Sequence, residues 1–131
     1  MFWAYRVGVA SFVTLLVQRV NLEIKPFTGM LLKLLLPAII QEKSGHAKRA
    51  FASACAIVLK YSTPSQAQKL VDDVAALHAG DRNAQVSCAV LLKSCASLAA
   101  DVMSGYYATL IPVIFISRSE SSYLVLYCFV K

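Results

Sequence analysis

Apolar residues recur with a helical period along most of this chain, and strand-like alternation is confined to the last dozen residues. Ala50, Ala54, Ile57, Val58 and Tyr61 share one helical face. Val86, Ala89, Val90, Lys93 and residues 96–100 form a second, wider apolar stripe. Polar and helix-breaking residues divide the pattern into predicted helices at about 4–20, 26–42, 46–61, 64–78, 82–103 and 106–117. Asn21 to Pro26 separates the first from the second, and Ser44-Gly45 the second from the third. Thr63-Pro64 is a helix start: the Thr63 hydroxyl can cap, and proline suits the first helical position, where a backbone N–H has no partner to lose. Gly80 is placed to end the fourth helix and Asp81 to cap the fifth, with Gly105 stopping that one. Pro37 and Pro112 lie inside helical pattern and predict bends.

The helices also repeat. Cys55-Ala56-Ile57-Val58-Leu59-Lys60 returns 33 residues later as Cys88-Ala89-Val90-Leu91-Leu92-Lys93. Ser11 to Leu16 echoes it more loosely in the first helix. Leu36-Pro37-Ala38-Ile39-Ile40 is matched by Ile111-Pro112-Val113-Ile114-Phe115. Periods of this size with two helices each predict an all-α fold, an α-solenoid of about three antiparallel HEAT- or armadillo-like helix pairs. The repeats are expected at 4–42, 46–78 and 82–117, within a segment spanning 1–118, with a divergent hydrophobic tail at 119–131. A compact helical bundle is the competing architecture. Neither end carries the polar face a solenoid uses as a cap, as expected of a segment cut from a longer array.

Composition narrows the class. Of 131 residues, 58% are hydrophobic and 15% charged, against roughly 45–50% and 25% in ordinary soluble domains. That excludes a disordered chain. A membrane span needs about 18 apolar residues with few charges. The longest uncharged stretch, Val102 to Ser117, is interrupted by Gly105 and Pro112, and Val7 to Gln18 is shorter still. No membrane span is expected. Arg6 and the run Val7–Val17 imitate a signal peptide, but Gln18-Arg19-Val20-Asn21 supplies no small-residue cleavage site. The net charge is +6, yet the basic residues are scattered, and Lys48-Arg49 is the only adjacent pair. Nucleic-acid binders cluster such residues with aromatics, so no nucleic-acid partner is expected. A solvated basic face is the simpler reading, and contact with an acidic partner surface is the other.

The search for chemistry finds no catalytic, cofactor-binding or metal-binding set. Cys55, Cys88, Cys95 and Cys128 form no CxxC, and no histidine stands at zinc-finger spacing. Cys88 and Cys95, two helical turns apart, are too distant for a disulfide within one straight helix. They read as small core residues in a reducing compartment. His46 falls at a helix start and His78 at a helix end, where a charged ring favours the dipole. Asp72 and Asp73 are adjacent, so on a helix they diverge and share no proton. Ser104-Gly105-Tyr106 is a turn rather than a nucleophile elbow. Lys60 and Lys93 hold equivalent repeat positions, as solvated side chains or as a basic ladder on one surface. Residues for partner binding stay unassigned.

Several strings are specific. They include Leu15-Leu16-Val17-Gln18-Arg19-Val20, Ile24-Lys25-Pro26-Phe27, Lys48 to Cys55, Tyr61 to Leu70, Ala75 to Val86 and Pro112 to Arg118. Through them, over about residues 7–118, the chain resembles the giant HEAT-repeat proteasome adaptor and scaffold proteins. The resemblance implies a non-enzymatic segment that helps to bind and stabilise the 26S proteasome by tethering its regulatory and core particles. It implies no cofactor and a location in the cytoplasm and also the nucleus. Met1 to Arg6 and the tail after Arg118 fall outside the resemblance, and a truncated gene model is the expected reason. A small membrane-associated helical protein is the alternative, and an enzyme of unrecognised type the third.

Overall fold

The structure is a computed structural model that describes residues 2–78, 80, 82–106 and 108–110. Helix α1 spans Phe2–Arg19 and the single turn α2 Asn21–Ile24, followed by a 3-10 turn at Lys25–Phe27. Then come α3 (Thr28–Gln41), α4 (Gly45–Lys60), α5 (Pro64–His78), α6 (Arg82–Leu98), the short α7 (Ala100–Met103) and a second 3-10 turn at Ser104–Tyr106. No strand occurs among the described residues. The fold is all-α, with the stacked helix hairpins of a solenoid.

Local chemistry sets the boundaries. Ser44 caps α4, its hydroxyl accepting from the Ala47 N–H. Thr63 caps α5 as its sequence suggested, and the geometry adds a reciprocal contact. The Thr63 hydroxyl accepts from the Gln66 N–H (3.3 Å), while Gln66 Oε1 accepts from the Thr63 N–H (3.0 Å). The same Gln66 Oε1 accepts from the buried Thr28 hydroxyl (2.8 Å), which ties α3 to α5. A Cβ at Gly29 would stand 2.8 Å from Gln66 Nε2, so the end of the Gln66 side chain would have to shift to admit one. The Gly80 N–H bonds Leu77 O (2.9 Å) past the end of α5. Asp81, the expected cap of α6, lies outside the described residues, as do Pro112, Cys128, the sixth helix beyond residue 110 and the tail.

Two boundaries differ from the sequence expectation. The expected break at Asn21 to Pro26 is itself helical, an α turn and a 3-10 turn, and α3 starts at Thr28. The fifth predicted helix, 82–103, is broken at Ala99, whose φ and ψ are −132° and 41°. The chain turns there by 108°. Neither glycine nor proline causes this. Ala99 is fully buried at the elbow, so packing overrides the helix propensity of Ala99-Ala100. The break has a counterpart 79 residues earlier. Val20 has φ −124° and ψ 45°, and the chain turns there by 109°. Each elbow is followed by one α turn and then a 3-10 turn. Pro37 lies within α3.

The core is centred on α4, which packs against α1, α3 and α6. α1, α4 and α6 therefore form a row with α4 in the middle. The expected face of α4 is buried at Ala54, Ile57 and Val58 and half-buried at Ala50 and Tyr61. Phe51, Ala52, Cys55, Ala56 and Leu59 are buried as well, because a helix with neighbours on three sides has little free surface. Its alanines let those neighbours approach closely. The 33-residue repeat holds in the burial pattern: Cys55 and Cys88, Ala56 and Ala89, Val58 and Leu91, Leu59 and Leu92 are all buried, and Lys60 and Lys93 are both exposed.

Candidate functional site

The expected apolar stripe of α6 coincides with its core face only in part. Ala89 of that stripe is buried, as is Ala99 just past the helix, but the helix also buries Ala84, Ser87, Cys88, Leu91, Leu92 and Cys95. Val86 and Val90 are half-buried and Lys93 and Leu98 exposed. The period misleads here because α6 is apolar over much of its circumference, and the face richer in leucine and cysteine turns inward. The other face forms one wall of a groove between α4 and α6, with a volume of about 1030 Å³.

Basic residues converge on this groove from three segments. Lys43 comes from the α3–α4 connection, Lys48 and Arg49 from the first turns of α4, and Arg82 and Lys93 from α6. Scattered in sequence, they are gathered by the stacking of α4 on α6. The signals for this were present: the Lys48-Arg49 pair, and the repeat that marks α4 and α6 as equivalent neighbours.

A buried polar node underlies one end of the groove. Glu42, 7% exposed, follows the last turn of α3. Its carboxylate accepts from Arg6 Nε (2.5 Å) and Nη2 (3.0 Å), and from the Lys43 and Ser44 N–H groups (3.1 and 3.2 Å). The Arg6 hydrogen bond holds its carboxyl below the ordinary value near 4.5, more than offsetting the opposing effect of burial, and the backbone N–H donors help. Lys48, also 7% exposed, donates from Nζ to Ser87 Oγ (2.5 Å). Ser87 Oγ in turn donates to Asn83 O (2.9 Å), and Asn83 Nδ2 donates to Ile40 O (3.1 Å). Burial pushes the Lys48 ammonium down, against the attraction of Glu42. The node thus joins α1, α3, α4 and α6 at one end of the row.

The other residues singled out in the sequence lie elsewhere. His46 sits in the first turn of α4, its Nδ1 3.2 Å from Arg49 Nη2. His78 ends α5, and its side chain is outside the described set. Asp72 and Asp73 are both exposed, Asp72 accepting from Gln68 Nε2 (2.9 Å). Cys55, Cys88 and Cys95 are buried free thiols, and burial pushes Cys55 up to about 12 and Cys88 to about 11. Little nucleophilic thiolate therefore forms at neutral pH. Among the described residues no three His, Cys, Asp or Glu side chains gather as a metal site. Lys60 and Lys93 are both exposed; Lys93 lines the groove and Lys60 a separate concavity beside Leu22, Lys25 and Tyr61. No helix among the described residues is long and apolar enough by itself to cross a membrane.

Compared with known protein families, residues 3–79 match the proteasome adapter and scaffold protein ECM29, HEAT-repeat domain. The chain belongs to this family. No curated protein and no solved structure matches it. The family match covers α1 to α5, so it includes the α4 wall of the groove and the Arg6–Glu42 pair but not α6. The sequence resemblance placed the similarity at 7–118; the family match starts earlier and ends at residue 79. Beyond that residue the HEAT-like architecture rests on the 33-residue repeat and on the second elbow. The family is one of HEAT-repeat adapters and scaffolds.

Proposed function

We propose that this chain is a non-enzymatic adaptor segment that binds the 26S proteasome and helps to tether its regulatory particle to its core particle. The observation that carries the reading is the family match over residues 3–79, seated on helices that stack as a row. A solenoid of this kind works by contact: each helix pair touches its neighbours and leaves an extended face for partners. Binding energy comes from the few side chains that anchor a partner. The repeats are assigned to 4–42, 46–78 and 82–117. The reading places the chain in the cytoplasm and nucleus, with no cofactor and no catalytic step.

The test mixes the full chain with purified 26S proteasome and sediments the mixture at increasing salt. The chain is expected to travel with the proteasome and to keep regulatory particle on core particle at salt concentrations that otherwise separate them. A chain that stays at the top of the gradient overturns the reading. Co-sedimentation without that retention limits it to binding.

A second reading is favoured by one observation. Tyr5, Val9, Phe12 and Leu15 are exposed along the outer face of α1, at 79%, 43%, 64% and 53%. Such a face can lie on a lipid surface, as a membrane-associated helical protein would use it. Flotation with vesicles tests this: floating with uncharged vesicles in high salt supports it, and remaining with the soluble fraction counts against it.

A further inference from the structure

We infer that the groove between α4 and α6 is a docking site for an acidic segment of a protein partner. The inference rests on the reading that this chain acts by surface contact, and it adds which surface and which chemistry.

Charge is the first argument. Lys43, Lys48, Arg49, Arg82 and Lys93 line the groove, and Glu42 is the one carboxylate among the described residues that line it. That carboxylate is paired with Arg6, whose charge balances it, so the five basic residues remain in excess. The groove therefore has a strong excess of positive charge between walls of low dielectric, where a field is focused rather than screened.

Lys48 is the second argument. An ammonium has three N–H donors. Among the described residues, the Lys48 ammonium has one hydrogen-bond acceptor, Ser87 Oγ. Its side chain is nine-tenths buried and lines the groove. An ammonium on the wall of the groove, with N–H donors beyond the one Ser87 accepts, can take a second and charged acceptor. A carboxylate laid in the groove would supply it.

Shape and lining select the occupant. A volume of about 1030 Å³ exceeds what a lone anion fills and matches a short peptide or a drug-sized ligand. Val86, Val90 and Leu98 give the groove an apolar side that can receive an aliphatic residue between acidic ones. Among the described residues no aromatic side chain lines it, so these walls offer nucleobases no stacking platform. A segment alternating Asp or Glu with Leu or Val satisfies both walls.

The test measures fluorescence anisotropy of a short labelled peptide that alternates Glu-Asp pairs with Leu, titrated with the full chain. Its control replaces Glu and Asp by Gln and Asn in the same order. The acidic peptide is expected to bind, to weaken as salt rises, and to outbind the control. Arg82→Glu with Lys93→Glu is expected to weaken it about tenfold or more. Both residues are exposed, so circular dichroism should not change; should the double variant misfold, Lys93→Gln alone is expected to weaken binding about two- to threefold. Equal binding of the control peptide, or indifference to these substitutions, overturns the inference. So does preferential displacement of the peptide by an oligothymidylate or by anionic vesicles. No proteasome is present, so the two readings fail separately. A chain that co-sediments with proteasome yet ignores the acidic peptide overturns the docking site alone. A chain that takes the peptide yet fails to co-sediment overturns the adaptor reading alone.

Discussion

The central helix α4 has two unlike flanks. Toward α1 the contact is apolar: Ala10, Val13 and Val17 pack inward, and the described polar link from α1 is Arg6 to Glu42. The outer face of α1 then carries exposed Tyr5, Phe12 and Leu15. Toward α6 the contact has an apolar half, Cys88, Leu91, Leu92 and Cys95, and a polar half, Lys48 to Ser87. The outer face of α6 is the wall of a cationic groove. Burial of methyl and methylene groups supplies the stacking energy on both flanks, at about 25 cal/mol per Å². Apolar packing is non-directional, whereas the Lys48–Ser87 and Arg6–Glu42 contacts each add a required geometry at one end of the row.

The largest effect comes from breaking the apolar half on which both flanks depend. Leu59 is fully buried in α4, and Leu59→Ala is expected to cost about 2–5 kcal/mol through lost contacts and the cavity left behind. For a chain of this size that lowers Tm by about 10 °C or more, readable by thermal circular dichroism. Val17→Ala, confined to the α1 flank, removes fewer buried atoms and is expected to cost about 1–2 kcal/mol. A loss at Val17 as large as that at Leu59 would show that the α1 flank carries more of the stability than its contacts indicate.

The next effect separates polar geometry from burial. Glu42→Gln keeps the shape but turns one acceptor toward Arg6 Nε into a donor, and is expected to cost about 1–3 kcal/mol. The pH dependence follows from the sign of the shift. Glu42 has its carboxyl lowered in the folded chain, so its contribution is fully present above the unfolded value near 4.5. It is lost as pH falls below that value through the lower folded one. The wild type should lose stability over that window, and the Glu42→Gln variant, already lacking the carboxylate, should lose less. Parallel denaturation curves for the two proteins across that range would remove Glu42 from the account.

Much of this was legible in the sequence. The helix starts at Ser44 and Thr63-Pro64 follow from local capping chemistry, and the structure shows both. The repeat of Cys55–Lys60 in Cys88–Lys93 paired two helices that do lie side by side. Two things were hidden. The elbow at Ala99 has no breaker residue and arises from tertiary packing, which a propensity argument does not see. The inward face of α6 could not be chosen by period alone, since two faces are apolar and only the position of α4 decides between them. The groove was legible only in part: the Lys48-Arg49 pair and the repeat point toward it, but its five basic residues span positions 43–93 and become neighbours only when α4 and α6 stack.

A smaller effect tests the polar half with the opposite sign. Lys48 has its ammonium lowered, chiefly by burial, so carrying the charge costs stability below the folded value and nothing above the unfolded value near 10.5. Lys48→Met removes that cost while Ser87 keeps its bond to Asn83 O. The variant is expected to be more stable by about 0.5–1 kcal/mol at neutral pH. The difference should shrink as pH rises toward the lysine range. The same variant should bind acidic peptide more weakly, so stability and binding move in opposite directions. A loss of stability at neutral pH would show that the Lys48–Ser87 contact outweighs the burial of its charge.

The smallest effect on stability belongs to the outer face of α1. Phe12 and Leu15 are 64% and 53% exposed, so Phe12→Ser with Leu15→Ser removes little buried area. Tm is expected to hold within about 0.5 kcal/mol of equivalent stability. Solution behaviour should change far more, because an exposed apolar stripe promotes association. Sedimentation over a concentration series should show the wild type self-associating and the double variant doing so less. Arg82→Glu with Lys93→Glu, on the opposite flank, should leave self-association unchanged. If the α1 substitutions unfold the chain, the stripe is part of the core and the two flanks of α4 are more alike than their surfaces show. If they change only association, then α1 contributes to stability through its inward face and to contact through its outward one. The α6 flank then divides in the same way, with charge taking the place of apolar surface.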